Sequence, residues 1–238
     1  MQRNVHIDSA ADMLGAMETA SRFNHWMADT ILPFVGDEVL EIGAGIGNLT
    51  RLLCTGRRRY MVTDLDGEYV NRVAALMRSR PNVTTAVCDV SNTRDFEPFR
   101  EQMDTVVCLN VLEHIEDDMA ALRNIYSALK PGGRAILLVP RGPHAFGSFD
   151  RILGHFRRYT KAEFETKITA AGFAIERIFP FNRATYPGWL FNAKLLRRRR
   201  LSRVQLALFD RMVPVLRQLD PYLPWPATSL IAICTRTP

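Results

Sequence analysis

The 238-residue chain has no run approaching the ~20 apolar residues that a membrane-spanning helix needs, and Met1 to Asp8 lack the apolar stretch of an export signal. A cytoplasmic location is therefore expected. Cysteine is scarce: Cys54, Cys88, Cys108 and Cys234 are widely scattered and form no C-x-x-C pair, which argues against a disulfide framework and for reduced packing residues. No group of His, Asp and Glu shows the spacing of metal ligands along the chain, so no metal is expected. Internal repeats of 20–50 residues and low-complexity segments are also missing, which excludes solenoids and extended disordered tracts.

What is present suits a packed globular chain. With 47% apolar and 24% charged residues the sequence can bury a sizeable core, and its length fits one elaborated α/β domain better than two independent ones. The net charge of +6 conceals an asymmetry. Residues 1–140 carry 14 Lys+Arg against 19 Asp+Glu, a net of −5, whereas residues 141–238 carry 17 against 6, a net of +11. The first part suits a small cationic ligand, and the second a phosphate-bearing, nucleic-acid or anionic-membrane partner, or simply a solvated basic face.

Hydrophobic periodicity predicts an amphipathic helical lead-in over residues 9–34. The strand Glu38–Ile42 then runs straight into Gly43-Ala44-Gly45-Ile46-Gly47, followed by a helical pattern through Leu49, Leu52 and Leu53. Further strands are predicted at Tyr60–Leu65, Val83–Val90, Thr105–Asn110 and Arg134–Val139, with helices at Gly67–Met77 and Asp117–Leu129; Leu129-Lys130-Pro131-Gly132-Gly133 reads as a helix stop and turn. Such alternation implies a parallel sheet. A helix over Lys161–Ala171, a strand over Ala174–Phe179 and a last strand over Ser229–Cys234 complete the pattern. Residues 183–227 interrupt it with four consecutive arginines, Arg197 to Arg200, and an amphipathic stretch through Leu201, Val204, Leu208, Met212, Val215 and Leu219. The expected organisation is a lead-in (1–34), a core (35–182 and 228–238) and a helical cap (183–227) within one domain.

Glycines between a strand and a helix let the backbone pass close to a ligand at the helix N-terminus. The spacing here, Gly43-x-Gly45-x-Gly47 preceded by Glu41, departs from the G-x-G-x-x-G of dinucleotide sites, and an acid at that place repels pyrophosphate while attracting an ammonium group. The segment Val39 to Gly47 resembles the first motif of class I S-adenosylmethionine-dependent methyltransferases. Asp64 in Val62-Thr63-Asp64-Leu65-Asp66, Asp89 in Cys88-Asp89-Val90, the segment Asn110-Val111-Leu112-Glu113-His114 and the Leu129 to Gly133 turn resemble the family's later motifs in order, over about residues 35–140.

The resemblance implies a Rossmann-like seven-stranded, mostly parallel sheet with helices on both faces, an antiparallel last strand and a helical insertion before it. It implies S-adenosylmethionine as cofactor, held by Glu41, Gly43, Ala44, Gly45 and Gly47. Asp64 would take both ribose hydroxyls and Asp89 the adenine amino group, with Leu65 and Val90 flanking the ring and Asn110 at the methionine end. Asp66 suits a helix cap equally, and Glu113 and His114 suit capping and packing of the following helix.

Beyond Pro140, Gly154-His155-Phe156-Arg157-Arg158-Tyr159 resembles a segment of many small-molecule methyltransferases. His155 is the candidate base, because imidazole titrates near neutrality; a loop-fixing role fits it as well. His144 is a second candidate without a recognisable partner. Arg158, Tyr159, Tyr186 and Trp189 are the expected substrate contacts. With the aromatics Phe181, Phe191, Phe209, Tyr222 and Trp225 and the arginines, residues 183–227 suit an amphiphilic, lipid- or sugar-linked or phosphorylated acceptor, or peripheral membrane contact through 194–219. The acceptor atom, O, N or C, is left open, as is the oligomeric state. Alternatives are RNA methylation, which lacks an N/D-P-P-Y/F motif here, a cofactor-binding partner without catalysis, and a nicotinamide enzyme.

Overall fold

The computed structural model describes residues 15–198 and 203–237. Its centre is one seven-stranded sheet in the order β3-β2-β1-β4-β5-β7-β6. The strands are β1 (Glu38–Ile42), β2 (Arg59–Asp64), β3 (Val83–Val87), β4 (Met103–Leu109), β5 (Leu129–Pro140), β6 (Phe173–Phe181) and β7 (Ser229–Arg236). Strands β1 to β5 run parallel, and β7 lies antiparallel between β5 and β6. That is the Rossmann-like sheet implied by the motifs. Residues 182–228 form the insertion between the last two strands.

The helices are α1 (Ser21–Ile31), α2 (Thr50–Leu53), α3 (Gly67–Leu76), α4 (Thr93–Phe96), α5 (Asp118–Ala128), α6 (Ser148–Leu153), α7 (Lys161–Ala170), α8 (Tyr186–Trp189) and α9 (Arg203–Leu219). Side chains alternate across each central strand, so two cores form. Val106 and Cys108 of β4 and Leu137 and Val139 of β5 pack with Leu122 and Ile125 of α5 and Phe164 of α7. Val107 and Leu109, with Ile136 and Leu138, face the other way, onto Trp26 and Ile31 of α1 and Val73 of α3. Cys54, Cys88, Cys108 and Cys234 are buried and free.

Local chemistry fixes the helix starts. Asp66 accepts from the Glu68 N–H at 2.8 Å and so caps α3, Asp117 caps α5 through Ala120, and Thr160 caps α7 through Glu163. One expectation needs correction. The segment Leu129 to Gly133 belongs to β5, where Leu129 pairs with Met103 before the register shifts and resumes at Arg134 opposite Thr105. The glycine turn survives as a bulge: Gly132 has φ +77°, and a Cβ on Gly133 would stand 2.9 Å from the Lys130 carbonyl oxygen. The expected amphipathic stretch falls in α9, with Leu201 outside the described residues, and its stripe of Val204, Leu208, Met212, Val215 and Leu219 is exposed. The opposite face of α9 carries the contact with α1: Phe209 lies 5.6 Å from Phe23 between ring centres, and Asp210 accepts the Phe23 N–H at 2.9 Å.

Glu41 stands on the β1 face that meets α2 and β2. Its Oε2 accepts from Thr50 Oγ1 at 2.7 Å and from the Tyr60 hydroxyl at 3.0 Å, tying the end of the glycine loop to the sheet. Burial pushes its carboxyl from the ordinary 4.5 up to about 7, although both hydrogen bonds act to lower it. A raised carboxyl pKa means that the native state holds more protons than the unfolded chain between pH 4.5 and 7. This contribution to stability is therefore full below about 4.5 and lost by about 7, amounting to roughly 3 kcal/mol at most. Glu41→Gln keeps an acceptor for Thr50 and Tyr60 but cannot titrate. Calorimetric unfolding of this variant should show a shallower fall in Tm from pH 4.5 to 7 than the parent shows; parallel curves would refute the assignment.

Candidate active site

The carboxyl ends of β1, β2 and β4 converge on the glycine loop. Gly43, Gly45 and Gly47 have φ of +68°, +54° and +81°, the left-handed region where a side chain is strained. At Gly43 space is a second constraint, since a Cβ there would stand 2.3 Å from Val111 Cγ2. The Gly43 and Ala44 N–H groups both donate to the Thr63 carbonyl, and the Gly45 N–H donates to Asp64 Oδ2 at 2.7 Å. Asp64 Oδ1 accepts from the Asp66 N–H at 3.0 Å. Burial raises the Asp64 carboxyl above its ordinary value against these hydrogen bonds. One backbone donor per oxygen leaves acceptor capacity on each, which fits two adjacent hydroxyls of a ribose.

Beside Asp64 the Leu65 side chain is 67% exposed, an apolar surface at a strand end. Asp89 takes both bonds from Ser91, N–H and hydroxyl, on Oδ1, leaving Oδ2 for a donor such as an exocyclic amino group. Asn110, directly after β4, has φ +55° and an exposed side chain, a strained backbone of the kind that concentrates at functional sites. These groups line one rim, and they fit a nucleoside joined to a polar tail. Two other expected contacts lie elsewhere. The Glu41 carboxyl is turned into the β1–α2–β2 contact, and the Val90 side chain packs in the core while its carbonyl accepts from Asn124.

A second set of groups comes from residues far apart in the chain. Residues 155–159 are laid onto residues 112–118: the Phe156 N–H donates to the Glu113 carbonyl at 2.7 Å, the Tyr159 hydroxyl donates to Leu112 O and Asp118 Oδ2, and Arg157 reaches Glu116 O and Asp118. Asp150 is the hub of the loop. Its carboxylate accepts from the Gly147 N–H at 2.7 Å, from Arg158 Nε at 2.8 Å and from His155 Nδ1 at 2.9 Å. Burial pushes this carboxyl up, but His155 and Arg158 outweigh it and hold Asp150 below the ordinary carboxylate range.

The clamp brings His155 edge-on to His114, with ring centres 4.6 Å apart, above the fully buried Glu113. Neither carboxyl oxygen of Glu113 has a hydrogen-bond partner. Burial pushes Glu113 up to about 8 and, with His155 alongside, His114 down to about 4. One ligand-capable atom from each of Glu113, His114 and His155 falls within 4.8 Å of the others. Sequence spacing gave no sign of this group, because two members are adjacent and the third lies 41 positions away.

Arg158 and Tyr159, expected to meet substrate, are buried supports. Arg158 pairs with Asp150 and stacks 4.4 Å from the Trp189 ring centre, and Tyr159 is held by Leu112 and Asp118. Trp189 donates its indole N–H to Ala145 O, which docks α8 on the loop. Exposed His144, for which the sequence offered no partner, meets the Tyr186 hydroxyl at 2.9 Å through Nε2. Of the aromatics expected to line the cap, Phe181 at the end of β6 and Phe209 of the insertion join the core with α1, and Trp225 helps line a cavity of about 400 Å³ with Arg141, Lys161 and Arg183.

Comparison with known proteins bears on the family and the fold. Residues 40–135 match the family described as a methyltransferase domain. The ubiquinone biosynthesis O-methyltransferase of Pseudomonas entomophila is 32% identical over 124 residues, 51% of this chain and 52% of that protein. Its counterpart in Pseudomonas savastanoi is 29% identical over 150 residues, 53% of this chain and 63% of that one. The chain thus spans between half and two thirds of these relatives. Among solved structures, an S-adenosylmethionine-dependent methyltransferase from Mesorhizobium loti superposes with a TM-score of 0.61 at 17% identity, covering 88% of this chain and 96% of its own. The [4+2]-cyclase SpnF gives 0.62 at 17% identity over 89% and 80%, so the fold alone does not name a reaction. The motifs do what the fold cannot: together with the matched domain they identify residues 40–135 as a methyltransferase domain similar to those of the class I S-adenosylmethionine-dependent methyltransferases.

Proposed function

We propose that the chain transfers the methyl group of S-adenosylmethionine to a hydroxyl oxygen of a small amphiphilic acceptor met at a membrane surface. The observation that carries this reading is the crevice itself. Asn110 of the nucleoside-fitting rim is joined along the chain, through Val111, Leu112 and Glu113, to His114, whose ring centre lies 4.6 Å from that of His155. Asp64 would bind the ribose hydroxyls, Asp89 the adenine amino group, and Leu65 one face of the ring. The sulfonium supplies an electrophilic methyl group, so alignment of acceptor, methyl and sulfur accounts for most of the acceleration. His155, with Nδ1 committed to Asp150, presents Nε2 as the group that takes the acceptor's proton.

Oxygen as the acceptor atom rests on likeness to the ubiquinone biosynthesis O-methyltransferases, which favours an acceptor of that class. The amphiphilic character rests on α9. Val204, Leu208, Met212, Val215 and Leu219 form one exposed stripe at helical spacing, Val204 being 79% exposed. Exposed Arg197, Arg198, Arg203, Arg211 and Arg217 accompany it, the composition of a helix lying in an anionic lipid interface. No helix among the described residues is long and apolar enough to cross a membrane.

Three measurements test the reading. Calorimetry should show S-adenosylhomocysteine binding and no response to NAD, with Asp64→Ala weakening the former at least tenfold; tight NAD binding without a thioether response would overturn the cofactor. Turnover with a deuterated methyl donor and a quinol-pathway lipid extract should yield a deuteromethyl ether. With such an acceptor, His155→Gln should lower kcat by about 10²–10⁴-fold and flatten the pH profile, with little change in KM. Vesicles containing phosphatidylglycerol should co-sediment the protein, and Leu208→Glu with Val215→Glu should abolish this; unchanged sedimentation would remove the membrane from the proposal.

A further inference from the structure

We propose that Glu113, His114 and His155 form a binding site for one divalent transition-metal cation, Zn²⁺ or Mn²⁺, at the acceptor end of the crevice. The donor set is two imidazoles and one carboxylate, the open three-ligand arrangement that leaves positions for water or substrate. Their donor atoms lie within 4.8 Å of one another, and a tetrahedral site with bonds of ~2.0–2.1 Å needs ~3.3–3.4 Å between them. With His155 held by Asp150, a bound cation would draw the Glu113 and His114 side chains in to close that gap.

Two independent observations point to a ligand rather than to packing. The first is Glu113, fully buried with neither carboxyl oxygen satisfied. Leaving a buried polar group unpaired is destabilising, so such groups are few in native proteins, and a bound ion is one standing explanation. The second is the support behind His155. Its Nδ1 bonds to the Asp150 carboxylate, which is itself held by Arg158 and the Gly147 N–H, so Nε2 is oriented away from the hub. A carboxylate behind a ligating histidine is the usual outer shell of a metal site.

The role of the cation rests on the reading of the chain as an O-methyltransferase. A bound acceptor hydroxyl would give its proton to water, because coordination lowers its pKa. Its oxygen then bonds to the methyl carbon as the carbon–sulfur bond breaks, and that electron pair stays on sulfur as the thioether. His155 is in that state a ligand and not the base.

Metal binding can be read without turnover. The full chain, stripped with EDTA and desalted, is titrated calorimetrically with Zn²⁺, Mn²⁺ and Mg²⁺, and with Co²⁺ under visible absorption. One equivalent of Zn²⁺ or Mn²⁺ should bind at micromolar Kd or tighter, and Co²⁺ should develop ligand-field bands. Glu113→Gln and His155→Asn should each weaken binding at least 100-fold while S-adenosylhomocysteine affinity stays within twofold. Parent protein that binds no metal below millimolar, or variants that bind as the parent does, would overturn the site whatever the methylation assays give. Methyl transfer to a hydroxyl that is unchanged by EDTA and by added metal would overturn the catalytic role even if the cation binds.

Discussion

The Asp150 carboxylate is the constraint on which the acceptor side of this protein depends. It is fully buried and meets one backbone N–H, one guanidinium and one imidazole, all between 2.7 and 2.9 Å. An ionised group so placed is tolerated only because its partners replace the lost water. In return it fixes three things at once: the turn into α6, the stack of Arg158 on Trp189, and the orientation of His155. The insertion between β6 and β7 is joined to the crevice through that same stack.

The donor side is organised differently. There the backbone is the main actor, through three glycines in the left-handed region, a strained Asn110 and a loop whose N–H groups bond to Thr63 and Asp64. Glu41 braces it from beneath. One half of the crevice is thus shaped by main-chain geometry at parallel strand ends, as in other open α/β sheets, and the other by buried ion pairs between distant loops. The first kind of order is local to one strand–loop–helix unit, whereas the second joins side chains from loops far apart in the chain. The donor-side elements fall within residues 40–135, the stretch that matches the methyltransferase domain, and the Asp150 loop falls outside it.

Much of the site was legible along the chain for this reason. The strand–glycine–helix unit, Asp64, Asp89 and Asn110 all follow their strands directly, so order in sequence is order at the sheet edge. Reading failed where a side chain's direction mattered. Glu41 alternates onto the inner face of β1, Val90 turns into the core, and Arg158 and Tyr159 point inward to Asp150 and Asp118. A motif fixes residue identity and spacing, but burial decides whether an arginine meets a ligand or a carboxylate. Which face of α9 packs was not legible either: the helix meets the core through Leu206, Phe209 and Val213 and leaves its heptad-like stripe outside.

The sequence by itself determined the sheet, the cofactor loop and the carboxylates that suit a nucleoside, because each is local: a period of two, a period near 3.6, a glycine where φ is positive. Only the tertiary structure decided that Glu113, His114 and His155 meet. Their proximity results from a loop closing over 41 residues, held by Phe156 on the Glu113 carbonyl and Tyr159 on Asp118. No local preference encodes such a closure; it exists because the folded chain satisfies those buried polar groups together.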